Sequence, residues 1–280
     1  MIAMNGVKKF SLHNLEKTKE TRMMPRKISE ILPKRLTSII RYLGWADAPY
    51  KWKFSLGDCP LCGRSIFVSI KPSPFMTRCL KCMANITNLS LIPVVKSHCG
   101  GEYSGRIAYE LSIYGSTLHW LEKNFDTVIS SEFFPDHKLG EMVNGYLNQD
   151  VQNLTFDDNS IDLVTSNQVF EHVPNDIKGY KECLRVLRKG GALIFSVPLY
   201  DIKNTQQIAY SNGKSIVFIG EPEYHDSRIG GAKSAPAFWH HSLNDIAARV
   251  ASVGFSKVKL IDVTIASSQR KPEKVIYAIK

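Results

Sequence analysis

The stretch Phe156-Asp-Asp-Asn-Ser-Ile-Asp162-Leu-Val-Thr-Ser166-Asn-Gln-Val-Phe-Glu171-His172-Val173 decides the reading of this chain, together with Leu184-Arg-Val-Leu-Arg-Lys-Gly190-Gly191-Ala-Leu-Ile-Phe-Ser-Val-Pro198. A polar turn leads into an apolar run, Ile161–Ser166, too short for a helix and bounded by turn residues, as expected of a strand buried on both faces. A helix over Asp176–Leu187 follows, then a tight glycine link at Gly190-Gly191, where positive φ is accepted without steric cost, then a second buried strand near Ala192–Val197. A strand, a helix and a strand in this order make a parallel βαβ unit. Residues just past the first strand, Asn167 and His172 among them, then lie at the carboxyl edge of the sheet, where α/β folds bind ligands.

The same alternation extends both ways. Strands are expected near Arg106–Leu111 and Thr127–Ser131 with a helix near Ser116–Asn124, and after them Val258–Ile265 and Val275–Ile279. Ser242 reads as a helix N-cap, with Asp245 three residues on and a stop at Gly254. Residues 200–237 are rich in Gly, Pro and polar side chains without sustained periodicity, and read as a substrate-side insertion over the sheet's carboxyl edge. Residues 101–280 thus form one α/β domain.

Ahead of it the composition changes. Cys59-Pro-Leu-Cys62 and Cys79-Leu-Lys-Cys82 are two C-x2-C pairs separated by 16 residues, a spacing that presents four thiolates to one structural Zn²⁺. Gly63 follows the first pair where such a knuckle favours glycine, and Met83 stands at the matching place in the second. Cys99 and Cys183 have no such pattern, and Cys183 reads as a core residue. Residues 55–100 are taken as the zinc module with a linker helix, and residues 1–54 as a basic arm that carries a helix over Ile28–Leu43, broken or kinked at Pro33.

The net charge of +10 sits mainly on that arm: residues 1–53 hold 12 Lys/Arg against 4 Asp/Glu. Such an arm attracts nucleic acid or another anionic surface, or is simply solvated. With 44% apolar residues the chain has the composition of a folded globular protein. No apolar run approaches a membrane span and no secretory h-region opens the chain, so a cytoplasmic location is expected.

The quoted stretch closely resembles class I S-adenosylmethionine-dependent methyltransferases of the broad type 11 group, which share the strand opening D-L-V, the E-H-V segment and an L-R-P-G-G-like link. The resemblance covers residues 105–200 well and extends to the last helix and two strands. It implies a Rossmann-like seven-stranded sheet with helices on both faces and an antiparallel last strand, here preceded by a small zinc ribbon. It implies methyl transfer from S-adenosylmethionine to an acceptor. The first family motif, normally D/E-x-G-x-G-x-G, is matched by Glu110-Leu-Ser112-Ile-Tyr114-Gly115-Ser116, with a single glycine. Similar E-L-S-x-x-G segments occur in a subgroup of the family that also carries an N-terminal zinc ribbon.

By that resemblance Glu110, Ser112 and Gly115 surround the cofactor, Glu132 hydrogen-bonds the ribose hydroxyls, Asp150 accepts from the adenine amino group beside Val151, and Phe133 and Asn167 complete the set. On the acceptor side, His225 in Glu223-Tyr224-His225-Asp226 is the first candidate for a base, with His240 and His241 next and Tyr200 and Asp201 as pocket walls; His172 is read first as a structural or cofactor-pocket residue and second as a base. The acceptor is read as a small molecule such as a sugar or another metabolite. Two alternatives stand beside it: an RNA methyltransferase that holds nucleic acid through the zinc module and basic arm, and a non-catalytic zinc-ribbon scaffold that no longer binds cofactor.

Overall fold

The computed structural model describes residues 9–11, 52–71, 73–227 and 230–280, so most of the basic arm and its expected helix lie outside the described residues. The main sheet has eight strands in the order Lys257–Val263, Glu273–Ile279, Leu187–Ser196, Ile161–Asn167, Ile107–Glu110, Thr127–Glu132, Tyr146–Asn148, Met142–Val143. The five consecutive strands from Leu187–Ser196 to Tyr146–Asn148 run parallel. Glu273–Ile279 is antiparallel to both its neighbours. Seven strands are the sheet the sequence led one to expect; the eighth, Met142–Val143, closes an antiparallel turn on Tyr146–Asn148. The chain leaves Ile107–Glu110 toward one side and returns to its other side with Ile161–Asn167, and a ligand crevice opens at such a reversal of strand order.

Alternation along each strand divides two cores, since successive side chains point to opposite faces. Ala108, Leu163, Ala192 and Ile194 face a cluster with Leu91, Val95, Trp120 and Leu121, from the helices Leu91–Cys99 and Ser116–Asn124. Tyr109, Val164, Leu193 and Phe195 face Tyr180, Cys183, Val186, Ile246 and Val250, from the helices Asp176–Val186 and Ile246–Ala251. Asn175 caps Asp176–Val186 by accepting from the Lys178 amide at 3.0 Å, and its apolar positions turn one stripe to the sheet. Cys183 is fully buried there, as expected of a core thiol.

The cysteine module begins at Lys53: strands Lys53–Cys59, Gly63–Ser69 and Thr77–Cys79 form a small antiparallel sheet. It is not a separate bead. Cys59, Phe67 and Cys79 belong to the same buried cluster as Leu163 and Val275 of the main sheet. Asp58 N donates to Ile265 O at 3.0 Å and Ser267 N to Leu56 O at 2.9 Å, with Gly57 pressed against Ala266 between them.

Three expectations need correction. Gly190 and Gly191 do not precede the strand but form a bulge inside Leu187–Ser196, with Gly190 at φ 81° and Gly191 against Asp162 O. Ser242 is not a helix cap: it ends the strand Trp239–Ser242 and is buried, and Asp245 occupies the N-cap of a shorter helix. The insertion is not irregular loop but a set of strands of two to six residues between Gln206 and Pro236, too short to print a period on the sequence. Among the described residues no helix is long and apolar enough to cross a membrane.

Candidate functional site

The parallel strands end together on one edge. In register, Glu110 pairs with Thr165 and with Ser130, so Glu132 and Asn167 each stand two residues farther out along their own strands. Glu110 is 1% exposed; it accepts from Thr165 Oγ1 at 2.5 Å, and its other oxygen lies 3.4 Å from Ser112 Oγ. Burial pushes its carboxyl up to about 8, against which the two hydroxyls act only in part. Burial thus favours its protonated form, and it ties the first strand to its neighbour and to the loop that follows.

The loop after Glu110 has one glycine, at the position where the backbone demands it. Ser112 Oγ donates to Tyr114 O at 2.9 Å, closing a tight turn. Gly115 follows at φ 120° and ψ 170°, a region that only glycine occupies without strain, and at once begins the helix Ser116–Asn124. A Cβ on Gly115 would meet nothing within 4 Å, so the backbone there borders open space. Asn167 Nδ2 donates to Thr117 Oγ1 at 2.8 Å and its Oδ1 accepts from Ser196 Oγ at 3.0 Å, fixing this helix against the strand ends. The next residue, Gln168, carries φ 54°, a left-handed turn outside glycine at the site's edge.

Glu132 ends its strand half-buried, with Oε1 accepting from Phe133 N at 3.1 Å; burial raises its pKa. Phe133 is exposed. Asn148, which the sequence reading passed over as a single residue, is fully buried and its amide donates to the carbonyls of Phe134, His137 and Lys138 while accepting from Phe134 N. It fastens the loop after Glu132. Asp150 accepts from Gln152 N at 2.9 Å and from Gln152 Nε2, and Val151 is buried against Gly179.

The insertion folds back onto the turn after Ile161–Asn167. His172 Nδ1 lies 2.8 Å from Pro236 O, which can only accept, so this nitrogen carries the proton. Burial pulls the His172 pKa down to about 4 and keeps the ring neutral, leaving Nε2 an acceptor for His225 Nδ1 at 3.2 Å. His225 Nε2 faces Glu223 Oε1 at 3.2 Å, and His240 Nε2 faces Glu223 Oε2 at 2.7 Å with its ring stacked on Tyr200. Burial alone would raise the Glu223 pKa, but the hydrogen bonds from His240 and His225 outweigh it and hold the carboxyl low.

The structure thus brings His172, His225, His240 and Tyr200 together, and separates the rest. His241 is buried against Asp176, which Arg249 also clasps in a bidentate pair, so it belongs to the scaffold and not to a substrate wall. Asp226 accepts from Lys233 N within its hairpin, and Asp201 is exposed. Glu171 is the residue sequence reasoning missed. It is 1% exposed, its two carboxylate oxygens have no hydrogen-bond partner, and burial pushes its carboxyl up to about 8. The signal was present in the pair Glu171-His172, but spacing alone says nothing of which way the carboxylate turns.

In the cysteine module the Sγ atoms of Cys59, Cys62, Cys79 and Cys82 converge within 4.8 Å, with Cys59 Sγ and Cys82 Sγ 3.7 Å apart. Thiolates about 2.3 Å from a tetrahedral Zn²⁺ stand about 3.8 Å from one another, so the donors fit that ion. Gly63 and Met83 occupy matching places after the two pairs, at φ 70° and 62°.

Residues 114–195 match the sequence model of a family described as a methyltransferase domain. The order of the sheet agrees with the fold that the resemblance implied, and over the matched segment the chain is similar to that family. Among solved structures it is similar to an S-adenosylmethionine-dependent methyltransferase from Mesorhizobium loti, at 14% identity and TM-score 0.46, over 68% of this chain and 98% of that one. It is also similar to the 1,6-didemethyltoxoflavin-N1-methyltransferase of Burkholderia thailandensis, at 11% identity and TM-score 0.47, over 69% and 78%. Comparison with curated proteins gives no match.

Proposed function

We propose that the chain transfers a methyl group from S-adenosylmethionine to a small hydroxylated acceptor held between the strand ends and the insertion. The observation that carries the donor half is the pairing of Gly115, in its glycine-only conformation bordering open space, with Glu132 at the end of the neighbouring strand. Glu132 Oε2 is the carboxylate oxygen to take the two ribose hydroxyls, Gly115 lets the backbone lie close to the cofactor, and Asp150 and Val151 border the adenine. The cofactor supplies an already activated methyl on its sulfonium. The protein's task is then to hold donor and acceptor in line and keep water out, an effect that alone is worth about 7–11 kcal/mol in well-oriented systems.

The acceptor half is supported by the insertion, whose strands Tyr224–Ser227 and Gly231–Pro236 bring His225 and the Pro236 carbonyl onto His172. A wall of polar side chains on a folded insertion suits a small acceptor that it can enclose. The four cysteines hold a structural zinc that ties the first hairpin to the shared core.

Isothermal titration with S-adenosylhomocysteine tests the donor half: the wild type should bind, and Glu132→Ala should bind about a hundredfold more weakly, the loss of about 3 kcal/mol of charge-assisted hydrogen bonding. Equal affinity in the two proteins would remove Glu132 from the site.

A further inference from the structure

The acceptor-side cluster contains a buried carboxylate that no other residue satisfies. Both Glu171 oxygens are shut off from water and make no hydrogen bond to another residue; only the residue's own backbone N–H comes near the carboxyl. A buried carboxyl without partners costs several kcal/mol when charged, and even when protonated leaves its hydroxyl without an acceptor. Hydrogen bonding within the protein does not explain why it is there. A cation does.

Around it stand two imidazole nitrogens. Glu171 Oε1 lies 3.7 Å from His172 Nε2 and 4.0 Å from His225 Nδ1, and those two nitrogens are 3.2 Å apart. The point equidistant from all three corners of that triangle lies about 2.1 Å from each, the bond length, about 2.0–2.2 Å, from Zn²⁺ to imidazole nitrogen or carboxylate oxygen. We propose that Glu171, His172 and His225 form a second metal site, for a single divalent transition-metal ion, separate from the four cysteines.

The surroundings of both histidines suit that role. A ligating imidazole usually gives its other N–H to a carbonyl or carboxylate, which fixes its tautomer and orientation. His172 gives Nδ1–H to Pro236 O, and His225 turns Nε2 to Glu223, which His240 braces from its other oxygen. Nitrogen and carboxylate ligands with no thiolate select an ion of the zinc, cobalt, iron or nickel kind over calcium.

Three protein ligands make an open site, unlike the closed four-cysteine one, and leave positions for oxygens of water or of the acceptor. Resting on the methyltransferase reading, this names the acceptor chemistry: a hydroxyl, or two neighbouring ones, that binds the ion and is thereby made easier to deprotonate. It also explains how the acceptor is activated where both imidazoles are already engaged.

The test counts metal in the full chain. Zinc-loaded, dialysed wild type should hold two ions, while His225→Ala and Glu171→Gln should each hold one. Co²⁺ added to protein whose cysteine site is filled with zinc should occupy one further equivalent, with a weak visible spectrum free of thiolate charge transfer. One ion per wild-type chain, or a second ion kept in both variants, would overturn the proposal; the wild-type count stands even if a variant fails to fold. S-adenosylhomocysteine titration of the same samples separates the two readings. Binding of it without a second metal sinks the metal site alone, and a second metal without it sinks the methyltransferase reading alone.

Discussion

Gly115→Ala probes the shortened first loop on two scales at once. At φ 120° and ψ 170° an alanine is held in a conformation costing about 1–3 kcal/mol. The added methyl meets no atom within 4 Å, so in the cofactor-free protein strain is the whole effect, a fall in Tm of roughly 3–9 °C. The binding effect comes from elsewhere: the methyl enters the space that the cofactor needs. Overpacking of that kind costs about 1–3 kcal/mol, or a loss of roughly 5- to 150-fold in affinity for S-adenosylhomocysteine. Gly100→Ala is the control, since Gly100 also has positive φ, at 63°, and open space around it, but caps the helix Leu91–Cys99. It should lower Tm, at a cost of about 1–2 kcal/mol, and leave binding unchanged. Differential scanning calorimetry and isothermal titration read the two quantities. A Gly115→Ala protein that is less stable yet binds as tightly as wild type would refute the placement of the cofactor over this loop.

Glu110 gives a pH signature. Its folded pKa, pushed by burial to about 8, exceeds the unfolded value of about 4.3, so the native state holds a proton that the unfolded chain has lost. That contribution is complete below about pH 4.3 and fades as pH rises toward 8, by an amount on the order of 3–5 kcal/mol. Glu110→Gln removes the titration, so its Tm should gain on wild type steadily from pH 5 to pH 8; parallel profiles would show the carboxyl is ionised in the fold. Gly57→Ala places a Cβ 2.3 Å from Ile265 O, and should cost about 2–3 kcal/mol through loss of the backbone contacts beside it. A thermal scan that finds it neutral would mean the module yields easily. Chelation of zinc from the cysteines should lower the Tm of the chain as one transition; an early separate step leaving the main transition in place would show the module unfolds on its own.

The α/β domain was largely legible because its strands are buried on both faces and its helices carry one apolar stripe. Ser116–Asn124 was placed to the residue, and the four cysteines that converge declared themselves by spacing. What the sequence hid were features set by long-range packing. Tyr146–Asn148 is three residues long, and its importance rests on Asn148, whose amide gathers three carbonyls that only the fold brings near. Ser242 looked like a cap because Ser followed by an acid three residues later suits one, but its hydroxyl is taken by Ile202 O, 40 positions earlier. The carboxyl-edge residues Glu110 and Glu132 could be read as strand ends, whereas the partnership of Glu171, His172 and His225 depends on a hairpin crossing 53 positions.

The seam between the cysteine module and the end of the chain bears on how the protein is made. Gly57 meets Ala266, and Ser55 meets Ser268 at 2.7 Å across 213 positions. During synthesis from the N-terminus the module emerges first and waits with Phe67 and Cys59 uncovered until the last strand pair leaves the ribosome. Metal capture at the cysteines is a local event that needs no such wait. An early ion would hold the hairpin in shape through that interval, so the protein's yield in a cell starved of zinc should fall before its activity per molecule does.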